Sequence, residues 1–155
     1  MKCLVDSCIF IENFKGKKEV KKLFLEAIEC FECFITEVIF SEVFYKVIGL
    51  EGSRSPLTLK KKGSISYILK KENVKNYIKL LTMFNTLKTN KFIFEIAYEL
   101  AENYNILPND ALILATCKHY GIKYLISLDE DFKESCEKER IVLIDSAEKL
   151  KEILK

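Results

Sequence analysis

The 155 residues suffice for one domain with a buried core, and 49% of them are apolar, which argues against disorder. The formal net charge of +2 neither favours nor excludes nucleic acid as a partner. No apolar stretch approaches the ~20 residues that span a bilayer. The chain opens on a predicted strand rather than a signal peptide, so we expect a cytoplasmic protein without a membrane partner.

The first half of the chain alternates between predicted strands and helices. Residues 2–6 form an apolar run typical of a buried strand, and 16–29 carry apolar residues at helical spacing. A second strand over 33–36 ends at Thr36, a favourable N-cap for the helix that follows. Segment 49–65 is rich in Gly, Ser and Pro, which predicts an irregular insertion loop.

The second half continues this alternation, and Gly and Pro residues mark its boundaries. The predicted helices are 66–71, 73–84, 91–104, 108–120, a short one around Phe132 and 146–154, and the predicted strands are 84–87, 123–128 and 141–144. Alternating strands and helices are typical of α/β proteins with a parallel sheet. We therefore predict a single domain over 1–155, with a central, mostly parallel sheet flanked by helices on both faces.

Two of the predicted strands end on an aspartate. Asp6 follows Cys3-Leu4-Val5, and Asp129 follows the run from Tyr124 to Leu128. In an open parallel sheet the ligand site lies beyond the carboxyl ends of the strands. If these strands are neighbours, the two carboxylates converge, and such a pair repels unless it binds a hard cation.

Two further acids have settings that leave alternatives open. Asp110 stands in the first turn of an otherwise apolar helix, where it is either a capping acid that favours the helix dipole or a site residue. Glu42 shares the polar window of a mostly apolar helix with Lys46. It either forms an i, i+4 ion pair with that lysine or points a carboxylate into the site.

The lysines are unevenly distributed along the chain. One cluster is Lys60–Lys62 within the predicted loop, where Arg54 also lies, and another spans 15–22. Lysines usually form solvated surface. The functional alternative is contact with nucleic-acid phosphates.

With the four acids in place, the chain resembles the PIN-domain family of metal-dependent ribonucleases, and within it the VapC-type toxins and their archaeal relatives. The similarity spans 2 to about 145. The matching stretches are Leu4-Val5-Asp6-Ser7, Ser41-Glu42-Val43, Leu107-Pro108-Asn109-Asp110-Ala111-Leu112-Ile113-Leu114-Ala115 and Leu125-Ile126-Ser127-Leu128-Asp129-Glu130-Asp131-Phe132. The last two stretches are the most specific.

The resemblance implies a site and an activity. It implies that Asp6, Glu42, Asp110 and Asp129 are catalytic and bind one or two Mg²⁺ or Mn²⁺ ions. Accessory roles fall to Ser7, Ser127 and Asp131, and the expected RNA contacts are Lys60, Lys61, Lys62 and Arg54. The implied reaction is hydrolysis of phosphodiester bonds in single-stranded RNA, by the toxin of a toxin–antitoxin pair that forms a homodimer and binds a small antitoxin.

Cys8 is a departure from the family pattern, because members often carry Asn or a similar polar residue two positions after the first aspartate. This places in question a hydrogen bond that supports the site, but not the ligand set. Cys30 and Cys33 form a lone C-x-x-C motif. Zinc would need two more ligands, and no second paired motif supplies them, so the role of this pair stays open.

Two alternative functions share these acids, and three other classes of protein fit the sequence less well. A PIN-like domain that binds RNA or protein without cutting it, or a free-standing RNA-processing nuclease, has the same acids. A receiver domain requires a lysine soon after its last strand, and none follows Ile144 closely. A haloacid-type phosphatase requires a second aspartate where Cys8 stands, and a nucleotide-binding domain requires a glycine-rich first turn in place of Ser7-Cys8-Ile9.

Overall fold

The computed structural model, which covers residues 1–155, has a central sheet of five parallel strands. The strands are β1 (Lys2–Val5), β2 (Glu32–Thr36), β3 (Asn85–Leu87), β4 (Tyr124–Ile126) and β5 (Val142–Ile144). Their spatial order is β3-β2-β1-β4-β5, and every pairing is parallel. The predicted parallel sheet is confirmed.

Strand order determines where a ligand site forms. From β1 the chain adds β2 and β3 on one side, and then returns to add β4 and β5 on the other. Right-handed crossovers place the helices of these two halves on opposite faces of the sheet. The order therefore reverses beside β1, and the crevice at its carboxyl end is the expected ligand site of such a sheet.

Ten helices connect and cover the strands. They are α1 (Ser7–Phe14), α2 (Lys18–Cys30), α3 (Glu37–Gly52), α4 (Pro56–Lys61), α5 (Ile65–Leu69), α6 (Glu72–Thr82), α7 (Lys91–Tyr104), α8 (Pro108–Tyr120), α9 (Phe132–Lys138) and α10 (Ala147–Ile153). Thr36 caps α3 by accepting a hydrogen bond from the Ile39 amide at 3.2 Å. Gly121 ends α8 in the left-handed conformation (φ 65°), as its position after the helix predicts.

Segment 49–65 corrects the prediction of an irregular loop. Helix α3 continues through Gly49 to Gly52, and α4 begins at Pro56 after the Ser55 cap. The Gly and Ser residues of this segment mark the ends of three successive helices. Cap and breaker residues close together in sequence predict a loop, but short helices place the same residue types at each terminus.

Two other differences concern the first and fourth strands. Helix α1 has no counterpart in the sequence-based prediction, because its eight residues follow β1 without a separating turn. Strand β4 ends at Ile126, so Asp129 lies beyond the strand rather than at its last residue. The Ser127 amide still donates to the Ile144 carbonyl at 3.1 Å, and the chain leaves the sheet after it.

The core is one continuous cluster to which all strands except β3 contribute fully buried residues. Leu4, Leu125 and Ile126 are completely inaccessible, since these central strands are covered on both faces. No helix is both long and apolar enough to cross a membrane.

Candidate metal and active site

All four predicted acids line a single open cavity of about 490 Å³. Asp6 follows β1, Asp129 follows β4, Glu42 lies on α3 and Asp110 lies in the first turn of α8. The cavity stands at the carboxyl end of β1, where the strand order reverses. Four distant parts of the sequence thus bring carboxylates to the crevice that the fold provides for a ligand.

Asp6 is buried, and hydrogen bonds hold its carboxylate in place. Oδ1 accepts from the Ser7 amide at 2.7 Å, and Oδ2 accepts from the Ser127 hydroxyl at 2.6 Å and the Cys8 thiol at 3.1 Å. These donors compensate for the water that the carboxylate loses on burial. Ser7 and Ser127, the predicted accessory residues, therefore both contact Asp6.

Cys8 supplies the hydrogen bond that its departure from the family pattern placed in question. Its thiol donates to Asp6, and its sulfur accepts from the Leu128 amide at 3.2 Å. Burial and, to a smaller extent, the neighbouring Asp6 charge raise the pKa of Cys8 to about 12. The thiol therefore keeps its proton at neutral pH and remains a donor.

Asp129 is positioned by the turn that leaves β4. Its amide donates to the Ser127 hydroxyl oxygen at 3.1 Å, and its Oδ1 accepts from the Asp131 amide at 2.9 Å. Ser127 therefore connects Asp6 to the backbone of Asp129. Asp131 is exposed and does not line the cavity, but its backbone fixes the orientation of the Asp129 side chain.

Glu42 is held by a residue that the sequence analysis did not assign to the site. The Asn109 side-chain amide donates to Glu42 Oε1 at 2.6 Å, which connects α8 to α3. No ion pair forms between Glu42 and Lys46, although both line the cavity. The sequence signals for Asn109 are its place beside Asp110 and its inclusion in a stretch that resembles the PIN-domain family.

Asp110 has a raised pKa because it is partly buried near the other carboxylates of the cavity. Burial raises its pKa to about 6, together with repulsion from Asp129, Asp6, Glu42 and Asp131 in decreasing order. The amino-terminal helix dipole favours an ionised carboxylate at this position. Burial and like charge therefore act against the dipole, and Asp110 lines the cavity together with the other three acids.

The donor set fits a hard divalent cation. The lining carboxylates offer only oxygen, the preferred ligand of Mg²⁺ and Mn²⁺, and none of the four is in a salt bridge. No three His, Cys, Asp or Glu side chains are grouped closely enough to hold an ion by themselves. Magnesium usually binds through one or two carboxylates and keeps several waters, which suits an open, acid-lined cavity.

The predicted RNA-contact residues occupy two different places. Lys60, Lys61 and Lys62 are exposed at the carboxyl end of α4 and do not line the acidic cavity. Arg54 lies in the turn between α3 and α4 and lines a neighbouring cavity together with Lys46.

Cys30 and Cys33 of the C-x-x-C motif are not grouped with a third His, Cys, Asp or Glu side chain that could hold a metal ion with them. Cys30 is exposed at the end of α2, whereas Cys33 lies in β2 with its sulfur 3.4 Å from that of Cys3. All six cysteines are free thiols. Hydrogen bonding from the Cys3 thiol lowers the pKa of Cys33.

Comparison with known proteins agrees with this geometry. The PIN domain family model matches residues 3–138. The chain belongs to the PIN domain family. A relative in Methanocaldococcus jannaschii, named ribonuclease VapC2, is 37% identical over 134 residues, which cover 85% of this chain and 87% of that protein. The PIN-domain assignment made from the sequence is therefore confirmed.

Solved structures share the same PIN-domain fold. A toxin–antitoxin complex from Klebsiella pneumoniae contains a chain with a TM-score of 0.59 and 23% identity, covering 85% of this chain and 91% of that one. VapC20 of Mycobacterium tuberculosis, described as a toxin that cleaves the sarcin–ricin loop, has a TM-score of 0.60 and 15% identity. That match covers 86% of this chain and 95% of VapC20.

Proposed function

We propose that this PIN domain is a ribonuclease, the toxin of a toxin–antitoxin pair, which hydrolyses phosphodiester bonds of single-stranded RNA with Mg²⁺ or Mn²⁺. The observation that carries the proposal is the set of four carboxylates, none of them in a salt bridge, around one cavity at the carboxyl end of β1. The name of the M. jannaschii relative supports the ribonuclease activity. The similarity to a chain of the Klebsiella toxin–antitoxin complex and to the toxin VapC20 supports the toxin role.

Each acid has a role in this proposal. Asp6 and Asp129 are the principal metal ligands, and Asp110 and Glu42 complete the site directly or through water. When bound, the ion supplies a water of lowered pKa and offsets charge on the phosphate. Ser127 maintains the orientation of both principal ligands, since it donates to Asp6 and accepts from the Asp129 amide. Asn109 orients Glu42 through the hydrogen bond that its side-chain amide donates to Oε1.

Cleavage of a labelled single-stranded RNA tests the proposed reaction. We expect cleavage in Mg²⁺ or Mn²⁺ and none in excess EDTA. Changes to residues that only support metal ligands cost ~10–100-fold, so Asp6→Asn, which alters a ligand itself, is expected to reduce the rate by more than about 100-fold. Glu137→Gln, which removes an exposed carboxylate outside the cavity, is the matched control and is expected to cleave normally.

Two outcomes separate the nuclease from a PIN domain that only binds. Cleavage that persists in EDTA, or that survives Asp6→Asn, would disprove the mechanism. Tight RNA binding without turnover in either metal would identify a binding domain. Calorimetric titration with Mn²⁺ gives an independent readout, in which Asp129→Asn is expected to weaken binding strongly because it removes a ligand charge.

The proposed partners follow from the same site. A small antitoxin protein would cover the open acidic cavity, and the similarity to a chain of the Klebsiella toxin–antitoxin complex supports a partner of this kind. Lys60–Lys62 and Arg54 are proposed RNA contacts, since all four are exposed and none is in a salt bridge. A homodimer completes the proposal, and exposed aromatic side chains on α7 support it.

A further inference from the structure

A second cavity of about 390 Å³ adjoins the acidic one, and its walls are basic rather than acidic. The two cavities share Tyr45 and Lys46 as lining residues. Beyond these, the second cavity is lined by Lys15 and Arg54 and contains no carboxylate. The protein therefore presents a continuous groove along α3 in which the charge changes sign.

The geometry of α3 creates this groove. Glu42, Tyr45, Lys46 and Gly49 stand at positions i, i+3, i+4 and i+7, so they share one face of the helix. Glu42 lines the acidic cavity, whereas Gly49 lines the basic one. Seven residues at 1.5 Å each separate the two by about 10 Å along the helix axis.

Gly49 allows the chain to fold back over this face. A Cβ at that position would lie 3.3 Å from both the Arg54 carbonyl oxygen and Pro56 Cδ. Ser53 ends α3 in the left-handed conformation, with φ of 51°, and reverses the chain direction. The Arg54 backbone consequently lies beside Gly49, three residues after Lys46, and both basic residues line the same cavity.

The charges of the basic cavity are largely uncompensated. Lys46 and Arg54 take part in no salt bridge. Lys15 pairs with Glu12 at 2.8 Å, and Glu12 also pairs with Lys17, so one carboxylate serves two ammonium groups. Tyr45 leaves 52% of its surface exposed at the boundary between the cavities.

We propose that Tyr45, Lys46 and Arg54 form a subsite for the stretch of single-stranded RNA adjacent to the cleaved bond. The inference rests on the proposed ribonuclease function and adds the direction in which the substrate lies. Lys46 and Arg54 neutralise backbone phosphates, and Tyr45 stacks on a base. A polyanion is repelled by the acidic cavity except where an ion is bound, so the basic cavity determines where the neighbouring phosphates lie.

Equilibrium binding tests this subsite separately from catalysis. The parent protein carries Asp6→Asn, which prevents cleavage, and the probe is a fluorescein-labelled single-stranded RNA of mixed sequence, followed by anisotropy. Lys46→Gln and Arg54→Gln are each expected to weaken binding by roughly three- to tenfold, and each to reduce the slope of log K against log salt by about 0.7. Tyr45→Ala is expected to weaken binding by about tenfold, with Tyr45→Phe close to the parent.

Matched controls lie at the opposite end of the sheet. Lys123 and Arg140 are exposed, precede β4 and β5, and form no salt bridge. Lys123→Gln and Arg140→Gln remove the same charges and are expected to leave RNA affinity near that of the parent. If all four charge variants weaken binding equally, attraction is diffuse and the subsite is disproved.

The remaining outcomes separate this inference from the proposed function. If the Tyr45, Lys46 and Arg54 variants keep the RNA affinity of the Asp6→Asn parent, and the same changes made with Asp6 intact leave cleavage at the wild-type rate, the subsite is disproved and the nuclease proposal stands. Absence of both RNA binding and cleavage would overturn both. If a deca-glutamate peptide, but not RNA, binds in a manner that depends on Lys46 and Arg54, the cavity is a peptide site and the inference is wrong.

Discussion

Asp6 and Asp110 line the same cavity, but their surroundings differ. Asp6 is buried and accepts hydrogen bonds from an amide, a hydroxyl and a thiol. Asp110 is only partly buried, and burial together with neighbouring carboxylates raises its pKa to about 6. Ionised Asp110 therefore strains the metal-free protein, and an opposing positive charge at the site would relieve that strain.

This strain predicts that Asp110→Asn stabilises the metal-free protein. Because the folded-state pKa of about 6 exceeds the ordinary value of 3.8, the contribution of Asp110 to stability is most favourable below pH 3.8, falls as the pH rises from 3.8 to about 6 and stays at its lowest value above that. After allowance for solvent screening, the variant is expected to gain about 1 kcal/mol at pH 7.5. Urea unfolding in EDTA measures this gain, and it should disappear near pH 4.

Two comparisons make the Asp110 prediction specific. Glu137→Gln, which removes an exposed carboxylate outside the cavity, is expected to change the free energy of unfolding by less than ~0.5 kcal/mol at either pH. With Mn²⁺ present, Asp110→Asn should lose its advantage, since the wild-type repulsion is then relieved. A variant that is less stable than wild type at pH 7.5 in EDTA would show that the helix dipole prevails.

Sequence reasoning found the acids of the site better than the residues that orient them. Asp6 and Asp129 were identifiable from the apolar runs that they follow, whereas Glu42 and Asp110 were assigned through the resemblance to the PIN-domain family, and all four line the cavity. The Asn109 contact with Glu42 joins residues 67 positions apart. The Cys8 contact with the Leu128 amide joins residues 120 apart. Such pairings depend on tertiary packing and leave no periodic signal in the sequence.

Among the secondary-structure elements, α4 in segment 49–65 is a helix that the local sequence pattern does not predict. Helices α4 and α5 have only 6 and 5 residues, too few to present an apolar period. Isolated helices of this length are unstable in water, so tertiary contacts determine them. Leu59 and Ile68 are buried to 4% and 3% exposure and anchor these two helices against the end of α3.

The side chains of Leu59 and Ile68 pack directly against Gly52 at the end of α3, so a substitution at Gly52 tests this packing. A Cβ on Gly52 would overlap Leu59 Cδ1 and lie 2.7 Å from Ile68 Cδ1. Overpacking lowers the free energy of unfolding by ~1–3 kcal/mol, whereas the higher helix propensity of Ala raises it by at most ~1 kcal/mol. Gly52→Ala is therefore expected to destabilise the protein by about 1 kcal/mol in urea unfolding.

A double-mutant cycle tests whether Leu59 causes that cost. Leu59→Ala removes the nearer of the two overlapping methyl groups and leaves Ile68 Cδ1 2.7 Å from the added Cβ, so Gly52→Ala is expected to cost less in that background than in the wild type. An equal cost in both backgrounds would locate the effect in the backbone of α3 instead. Circular dichroism of the variants confirms that α4 and α5 remain helical.

At the scale of the whole molecule, the parallel sheet was the most predictable feature. Alternating strands and helices determine the α/β class, and right-handed crossovers limit the order of the strands. The prediction did not specify that β4 lies beside β1, a pairing in which Leu4 is opposite Leu125. This long-range pairing brings Asp6 and Ser127 into hydrogen-bond contact, and the site depends on it.

Helix α7 exposes large aromatic side chains on the outer surface of the protein. Phe94 and Tyr98 lie one turn apart on α7 and expose 56% and 72% of their surface. Large aromatic side chains are enriched at protein–protein interfaces and are costly to leave in water. We infer that this face of α7 forms the contact of the proposed homodimer, since two copies related by a twofold axis would bury the same rings against each other.

Sedimentation equilibrium of the wild-type protein is expected to give about twice the 18.0 kDa mass of one chain. The double variant Phe94→Lys with Tyr98→Lys is expected to sediment as a monomer, because four lysines would face one another across the contact. Tyr67→Lys is the matched control, since Tyr67 is also 72% exposed but lies on α5. A monomeric wild type would disprove the dimer, whereas a double variant that stays dimeric would assign the contact to another face.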